Sequence, residues 1–324
     1  MKRLFLIPLA LLLASCMTAA RLSDARGPRV AHHQHLISPA FAPIVKFNPI
    51  DAAALLSMLD EAGTERAVVL SMGYSFADER KKLDNPELLT RQENDWTAAQ
   101  VATAPRRLRG FCGVNPLAPG ALAEIERCNA LPGMRGLKLH FGNSGVSLRE
   151  PESVVRMRQV FALANRLPAP IVVHLRSRSG TPYGAEDARL FIEQLLPVAP
   201  DITIQVAHLA GAGPGFGADA DAAMAVFGEA IVRRDARTPR LLFDATTGVA
   251  PDGSAEDGAL VARRIREVGV DRVVFGSDLP IGGNLRLADA WRLFRIKVPL
   301  TNAEFARIAA NVAPYVPGAA GLPN

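Results

Sequence analysis

Short apolar runs alternate with longer amphipathic segments along most of this chain. Runs such as IVV at 171–173 and RVVF at 272–275 are almost continuously apolar, which is typical of strands buried on both faces. The pattern predicts strands at 29–35, 66–72, 107–114, 134–141, 170–175, 202–208, 240–245 and 271–277. It predicts helices at 51–63, 86–104, 118–130, 151–167, 184–198, 218–234, 256–268 and 286–297.

This order of elements predicts an α/β fold, a single-domain (β/α)8 TIM barrel. The chain has 324 residues, more than an average domain, but barrels of this kind run to about 250 residues as one unit. A doubly wound open sheet is the alternative, because it uses the same alternation. We expect the barrel domain to span 29–324, with a C-terminal helix from Thr301 to about Asn311 that packs beneath or beside it.

The first residues predict a secretory signal of the lipoprotein type. Lys2 and Arg3 precede the apolar stretch LFLIPLALLLA, which is shorter than the ~20 residues of a membrane-spanning helix. The sequence Leu-Ala-Ser-Cys at 13–16 resembles a bacterial lipobox. We therefore expect residues 1–15 to be removed, Cys16 to be lipidated and residues 16–28 to form a tether. This predicts a periplasmic protein anchored by lipid to a membrane, with the outer membrane favoured. A plain signal peptide is the alternative.

Composition and charge favour a soluble globular enzyme over a nucleic-acid-binding protein. Hydrophobic residues make up 49% of the chain and charged residues 21%, which are ordinary values for a soluble globular enzyme. The formal net charge is +5, but no basic run is interleaved with aromatic residues, so nucleic acid is not a predicted partner. Cys112 and Cys128 are too few for a disulfide scaffold. In an oxidising compartment they could pair, or they could remain isolated buried thiols.

The candidate metal-binding and catalytic residues lie where the predicted strands end. All six histidines lie at or beside the ends of apolar runs, and Asp278 closes the last run. The segments that follow the strands, such as HFGNSGVS and LRSRSGTPYGAED, are rich in glycine and polar residues, as binding rims are. In a barrel of this type the active site lies at the carboxyl ends of the strands. The histidines and the rim are therefore predicted to form one site.

Alternation along a strand predicts which of these side chains share a face. Residues two apart point the same way, so His33 and His35 can both reach one ion. His32 then faces outward with Gln34 and is predicted to be structural. The same rule pairs further positions: Lys138 with His140, Val172 with His174, and Gly276 with Asp278. 

A catalytic zinc site needs three protein ligands and an open position for water. His33, His35 and one downstream histidine would supply the ligands, with Asp278 as a fourth ligand or as the base.

With these motifs the chain resembles the amidohydrolase superfamily, and most closely its amidohydrolase-related (amidohydrolase 2) branch. The matching features, over about residues 29–315, are His33-Gln34-His35, GLKLH at 136–140, His174, His208, and Asp278 in GSD. The resemblance implies a divalent metal, with one Zn²⁺ favoured, bound by His33, His35, His174 and Asp278. It also implies that Asp278 is the catalytic proton shuttle and that His208 is a further ligand or polarises the substrate.

The resemblance leaves two residues of the fourth strand open. Lys138 is carboxylated in binuclear relatives, which would add a second ion, or it stays an ammonium that binds a substrate carboxylate, which we favour. His140 lines the pocket or is hydrogen-bonded in the core. The arginines that follow His174 could bind an anionic substrate group through forked hydrogen bonds, or they could simply form a solvated rim. The candidate substrate-binding residues are Arg176, Arg178, Asn143 and Tyr74.

The resemblance implies a metal-dependent hydrolase that uses activated water on an amide, ester or lactone bond of a small substrate, with carboxylated substrates included. Decarboxylases and hydratases of the same branch use the same residues, so a lyase is the alternative. A non-catalytic ligand-binding lipoprotein is a third hypothesis. The predicted partner is a small-molecule substrate, membrane attachment is expected only through Cys16, and no oligomeric state is predicted.

Overall fold

Eight parallel strands form one sheet whose spatial order is the order of the sequence. The computed structural model describes residues 27–76, 78–279 and 285–316. The strands are β1 (Val30–Gln34), β2 (Arg66–Leu70), β3 (Leu108–Gly113), β4 (Met134–His140), β5 (Ile171–His174), β6 (Ile204–Val206), β7 (Leu241–Asp244) and β8 (Val273–Val274). Every predicted strand is present, although β6 and β8 are shorter than expected.

Hydrogen bonds between β1 and the residues after β8 close this sheet into a barrel. His32 N donates to Phe275 O at 2.8 Å, and Asp278 N donates to His33 O at 3.0 Å. In a doubly wound open sheet the first and last strands are not neighbours in this way. The open-sheet alternative is therefore excluded, and the predicted TIM barrel is confirmed.

Helices follow the strands and cover the outside of the barrel. The longer helices are Ala52–Glu61, Pro86–Ala102, Ala121–Asn129, Pro151–Arg166, Ala185–Leu190, Ala218–Val232, Ala255–Val268, Leu287–Lys297 and Asn302–Ala310. Shorter turns are the α-helical Ala42–Val45, Gly73–Phe76 and Phe141–Ser144, the π-helical Phe191–Leu195, and the 3₁₀ Glu79–Lys81, Leu196–Val198, Ala207–Ala210 and Val270–Arg272. Most of the shorter turns were not predicted, because four residues are too few to show a helical period.

Side-chain caps fix where several helices begin. Asp51 accepts a hydrogen bond from Ala54 N at 2.9 Å at the start of Ala52–Glu61. Ser254 and Thr301 each form a reciprocal capping box with the acidic residue three positions later. Such caps satisfy amide groups that the helix itself leaves unpaired, and each is typically worth about 1 kcal/mol.

The barrel interior is filled at its amino-terminal end. Val30, Val68, Phe111, Val172 and Leu242 form an apolar cluster inside the sheet. Residues 312–316, which follow the last helix, extend this cluster from below. A larger apolar cluster lies between the strands and the helices. The carboxyl ends of the strands are therefore the end at which a ligand can approach the interior.

Cys112 of β3 and Cys128 of the helix Ala121–Asn129 form a disulfide, with their Cα atoms 6.1 Å apart. Both cysteines are fully buried. The sequence left open whether these cysteines pair or remain free thiols, and in the structure they are paired. Disulfides persist mainly in oxidising compartments.

Glu93, in the helix Pro86–Ala102, is a buried carboxyl that supports the loop after β1. Ser38 Oγ donates to Glu93 Oε2 at 2.5 Å and accepts from Phe41 N at 3.0 Å. Within the described part of the chain, the buried Oε1 of Glu93 has no hydrogen-bond partner. Burial raises the pKa of Glu93 from 4.5 to about 7, and the hydrogen bond from Ser38 offsets only part of this.

We expect Glu93→Gln to stabilise the protein at pH 8 and to have little effect at pH 5. Below pH 4.5 the carboxyl is protonated in both the folded and the unfolded chain. Between pH 4.5 and about 7 only the unfolded chain releases the proton, so the free energy of unfolding of the wild type falls as the pH rises. Each pKa unit is worth about 1.4 kcal/mol, so the variant should gain about 3 kcal/mol above pH 7.

Chemical denaturation of both proteins at the two pH values measures this difference. Glu126→Gln is the matched control, because Glu126 is exposed on the helix Ala121–Asn129. A gain at pH 8 of the same size in both variants would contradict the assignment to the buried carboxyl.

Within residues 27–76, 78–279 and 285–316, no helix has both the length and the apolar character needed to cross a bilayer. The predicted signal peptide, Cys16 and all but the last residues of the tether lie outside the described residues.

Candidate metal centre and active site

The residues predicted to bind metal or to act in catalysis lie together at the carboxyl ends of the strands. β1 and the residue that follows it contribute two histidines, β4 a lysine and a histidine, and β5 one histidine. The segments after β6 and β8 contribute the remaining histidine and the acid. All are buried or nearly so. In chain order they are His33, His35, Lys138, His140, His174, His208 and Asp278.

A β-bulge in β1 changes the faces that alternation predicts. Ala31 pairs with Ala67, yet Gln34 pairs with Val69, so β1 contains one extra residue between these points. As a result His32 lies inside the barrel near its lower end, where its Nε2 accepts a hydrogen bond from Ala313 N at 3.1 Å. The prediction that His32 faces outward with Gln34 is wrong, although this backbone hydrogen bond gives His32 a structural role.

Asp244, at the end of β7, is a residue of the site that the sequence analysis missed. Its Oδ2 lies 3.1 Å from His33 Nδ1 and accepts from Gln205 Nε2 at 2.6 Å. Its Oδ1 accepts from His208 N at 2.9 Å and from Thr246 N at 3.3 Å. Burial favours the neutral acid, but His33 and these hydrogen bonds hold the pKa of Asp244 below its usual range. The available signal was an acid ending the apolar run LLFD.

The partners of the histidine Nδ1 atoms fix the tautomers. A carboxylate can only accept, so His33 Nδ1 carries the proton in its contact with Asp244. His35 Nδ1 likewise donates to Leu70 O at 2.7 Å. His208 Nδ1 lies 3.0 Å from the carbonyl oxygen of Thr246. In each neutral ring the Nε2 atom is left with a lone pair, which is how metal-binding histidines are usually oriented.

Asp278 faces two of these lone pairs. Its Oδ1 lies 3.2 Å from His33 Nε2 and 3.1 Å from His35 Nε2. While both rings are neutral, an acceptor meets an acceptor at both contacts. Burial and Lys138 lower the pKa of His33, but Asp244 and Asp278 raise it above its usual value overall, so a second proton on His33 can remove the conflict at that ring. A cation between the three groups would remove it at both contacts. One ligand atom each of His33, His208 and Asp278 lie within 4.8 Å of one another. Two imidazoles and a carboxylate are a donor set that suits Zn²⁺, so these residues fit the implied metal.

His174 lies next to this group and stacks on His140. The ring centroids of His140 and His174 are 3.8 Å apart with an interplanar angle of 12°, and those of His174 and His208 are 5.2 Å apart. Burial holds the pKa of both His140 and His174 well below the ordinary value, so both rings are neutral at physiological pH. The structure brings His208 into the tight ligand group and His174 beside it. The assignment of His174 as a ligand stays a prediction.

Lys138 lies beneath the histidines and is almost completely buried. Its Nζ is 3.2 Å from His33 Nε2. Burial lowers the pKa of Lys138 to about 8, although Asp278 and Asp244 favour its charged form. The amine therefore lies at the centre of the site, and whether it is carboxylated stays a prediction.

The residues predicted to bind substrate lie around this centre and have partners within the protein. Tyr74 is buried and its ring stacks on His140, with the centroids 5.2 Å apart. Arg176 forms an ion pair with Asp219. Arg178 Nε donates to Gly142 O at 3.2 Å, and its Nη2 lies 3.4 Å from the carbonyl oxygen of Asn143. Their contacts with a substrate stay predictions.

The backbone is unusual at three strand ends that supply the site. His208, Thr247 and Asp278 have φ values of 55°, 53° and 55°, in the left-handed region that residues other than glycine rarely adopt. Leu209 and Ala210 continue the left-handed turn after His208. Such conformations cost about 1–3 kcal/mol each and are concentrated at functional sites. They explain why β6 ends before His208.

The fold is shared with solved structures that the chain covers almost completely. A probable 2-pyrone-4,6-dicarboxylic acid hydrolase from Acinetobacter baumannii is 16% identical, with a TM-score of 0.56 over 88% of this chain and 99% of that chain. A 5-carboxyvanillate decarboxylase from Sphingomonas paucimobilis is 15% identical, with a TM-score of 0.59 over 87% and 96%. An amidohydrolase from Burkholderia multivorans with bound zinc is 14% identical, with a TM-score of 0.58 over 87% and 95%.

Identities this low establish the fold alone. No curated protein matches the chain. The family model described as Amidohydrolase matches residues 30–311, which is most of the sequence. The chain belongs to the amidohydrolase family.

Proposed function

We propose that this protein is a metal-dependent hydrolase that cleaves an amide, ester or lactone bond of a small substrate. The observation that carries the proposal is the convergence of His33, His208 and Asp278, with His35 against the same carboxylate oxygen. Membership of the amidohydrolase family and the cluster of histidines with Asp278 at the carboxyl end of the barrel support an enzyme.

His33, His35, His208 and Asp278 are the residues best placed to bind one divalent ion, with His174 as a further candidate. Zn²⁺ is favoured by the nitrogen and oxygen donor set, and a structurally similar amidohydrolase has zinc bound. Such an ion supplies Lewis acidity, which lowers the pKa of water toward ~7 and polarises a carbonyl group.

The protein side chains would then transfer the protons of hydrolysis. Asp278 is ionised at neutral pH, because its neighbouring histidines hold the pKa of Asp278 well below the ordinary value despite burial, and it is therefore in the form that can accept a proton from the attacking water. The water oxygen forms a bond to the carbonyl carbon, and the bond from that carbon to the leaving group breaks. Asp278 returns the proton to the leaving nitrogen or oxygen, so the shuttle ends ionised. His208 would polarise the substrate carbonyl if it does not ligate the ion.

A decarboxylase is the second candidate. It is supported by the fold shared with a 5-carboxyvanillate decarboxylase and by the cationic groups Lys138, Arg176 and Arg178 around the centre, which suit a carboxylated substrate. In that reaction the bond between a substrate carbon and its carboxylate breaks, carbon dioxide leaves, and the carbon takes up a proton.

The location that we propose is the periplasm, with a lipid on Cys16 as the membrane anchor. The Cys112–Cys128 disulfide supports an oxidising compartment independently of the leader. A small-molecule substrate is the proposed partner.

The proposed function predicts that purified protein contains about one equivalent of zinc and loses its activity after treatment with a chelator. Metal content per chain is measured by elemental analysis. Activity is measured on a panel of amides, esters, lactones and aromatic acids, with carbon dioxide release recorded in parallel. Hydrolysis without carbon dioxide supports the hydrolase, and carbon dioxide release alone supports the decarboxylase.

Since the barrel is held together by its own core, the far-ultraviolet circular dichroism should persist after chelation. Loss of this signal would mean that the ion is structural. Metal-free protein with undiminished activity would contradict both catalytic proposals.

A further inference from the structure

The C-terminal segment after the last helix enters the barrel from below and reaches the residues under the metal centre. The ring of Tyr315 packs against that of Phe111, with the centroids 5.2 Å apart. Ala313 N donates to His32 Nε2, and Val316 joins the interior apolar cluster. The end of the chain is therefore part of the barrel interior.

A chain of hydrogen bonds runs from this segment to a candidate metal ligand. The hydroxyl of Tyr315 donates to Gln205 Oε1. Gln205 Nε2 donates to Asp244 Oδ2 at 2.6 Å. The same carboxylate oxygen lies 3.1 Å from His33 Nδ1. Three hydrogen bonds thus connect Tyr315 to His33.

The direction of each hydrogen bond is fixed by the groups at the two ends. The Asp244 carboxylate can only accept, so Gln205 must turn its amide nitrogen toward it and its oxygen toward Tyr315. Burial raises the pKa of Tyr315 well above its ordinary value, so the phenol keeps the proton that it donates. Without that proton donor, the Gln205 amide loses one of the contacts that fix its orientation, and only the bonds from its Nε2 to Asp244 Oδ2 and, at 3.5 Å, to His32 O still oppose rotation. A rotated amide would place its oxygen against the Asp244 carboxylate.

We propose that Tyr315 is a positioning residue for the metal site, acting through Gln205 and Asp244 to hold His33 with its Nε2 lone pair directed at the ion. This inference rests on the metal site of the proposed function. Hydrogen-bond partners of metal ligands, when removed, typically change metal affinity by about 10–100-fold. Tyr315 is two hydrogen bonds from the atom that meets His33, so we expect the lower end of that range.

The test uses the full chain, stripped of metal and titrated with Co²⁺ and with Zn²⁺ against a competing chelator. Tyr315→Phe removes the hydroxyl and keeps the ring that packs on Phe111. We expect about a 10-fold weaker affinity for both ions. The visible spectrum of bound Co²⁺ should also change. The thermal midpoint of the metal-free protein should fall by about as much as in the control variant Thr64→Val, because each substitution leaves one buried oxygen without its hydrogen-bond donor.

Gln205→Met interrupts the chain at its centre, and Tyr315→Phe should add no further loss of affinity in that background. Thr64→Val is the matched control. It removes one buried hydroxyl at the same end of the barrel, where Thr64 Oγ1 donates to Pro28 O at 2.8 Å, away from His33. We expect it to bind both ions like the wild type.

Wild-type affinity in Tyr315→Phe, an equal loss in Thr64→Val, or additive losses in the double variant would each overturn the positioning role. A wild-type protein that binds neither ion would overturn the proposed function itself, and this inference with it. The two failures are therefore distinguished by the titration of the unchanged protein.

Discussion

Asp278→Asn is expected to lower kcat by about 10²–10⁴-fold, because general acid–base catalysis by one positioned group contributes about this much. The amide keeps the size of the carboxyl and one oxygen, but it cannot accept and return a proton at neutral pH. Its oxygen can still face His33 and His35, which lie 3.2 Å and 3.1 Å from Asp278 Oδ1. We therefore expect KM to change much less than kcat.

The measurement is steady-state kinetics on the best substrate of the panel, with metal content determined on the same samples. Asp271→Asn is the matched control, because Asp271 precedes β8 at the opposite end of the barrel, where it pairs with Arg307. We expect wild-type kinetics for this control. An Asp278→Asn variant that keeps both its metal and its turnover would disprove the shuttle role. A variant that has lost its metal identifies Asp278 as a required ligand.

The fold was predictable because each strand and each long helix carries its own local signal. Apolar runs such as IVV in β5 mark buried parallel strands, and their regular alternation with amphipathic segments leaves few architectures. The place of the site was predictable for a related reason. Polar side chains such as His174 and Asp278 are costly inside an apolar run unless they have partners, so their position at strand ends indicated a shared site.

The features that were predicted wrongly or overlooked depend on contacts between segments that are distant in the sequence. Strict alternation assigned His32 to the outer face, but the bulge in β1 arises from pairing with β2 and is invisible in the sequence of β1 alone. Asp244 was overlooked because its role depends on donors from three different segments, represented by His33, Gln205 and Thr246. The left-handed turn at residues 208–210 contains no glycine, the residue that usually indicates such a turn in a sequence.

Asp244→Asn is expected to weaken metal binding by about 10–100-fold, although Asp244 itself lies behind the proposed ligands. Each carboxylate oxygen of Asp244 accepts from two donors: His33 and Gln205 on one side, the amides of His208 and Thr246 on the other. An asparagine amide must place its NH₂ group on one of these sides. In either orientation a donor then faces donors in a fully buried position.

Two consequences follow from that conflict. If the NH₂ group faces His33, two donors meet at His33 Nδ1. The ring can avoid this contact by moving its proton from Nδ1 to Nε2, which removes the lone pair needed for the ion. If it faces the two backbone amides, the turn that carries His208 loses its support. Leaving buried donors unsatisfied costs about 1–3 kcal/mol, so the free energy of unfolding should fall by this amount as well. Zinc titration against a chelator and denaturant unfolding measure the two effects.

Asp187→Asn separates lost stability from lost metal binding. Asp187 is also buried and hydrogen-bonded, accepting from Gly184 N at 3.0 Å and from Arg149 Nη2 at 2.8 Å, but it belongs to the start of the helix Ala185–Leu190. We expect this control to lose stability and to keep its affinity for zinc. Equal losses of affinity in both variants would mean that metal binding follows general stability. Unchanged affinity in Asp244→Asn would mean that metal binding does not depend on the carboxylate of Asp244.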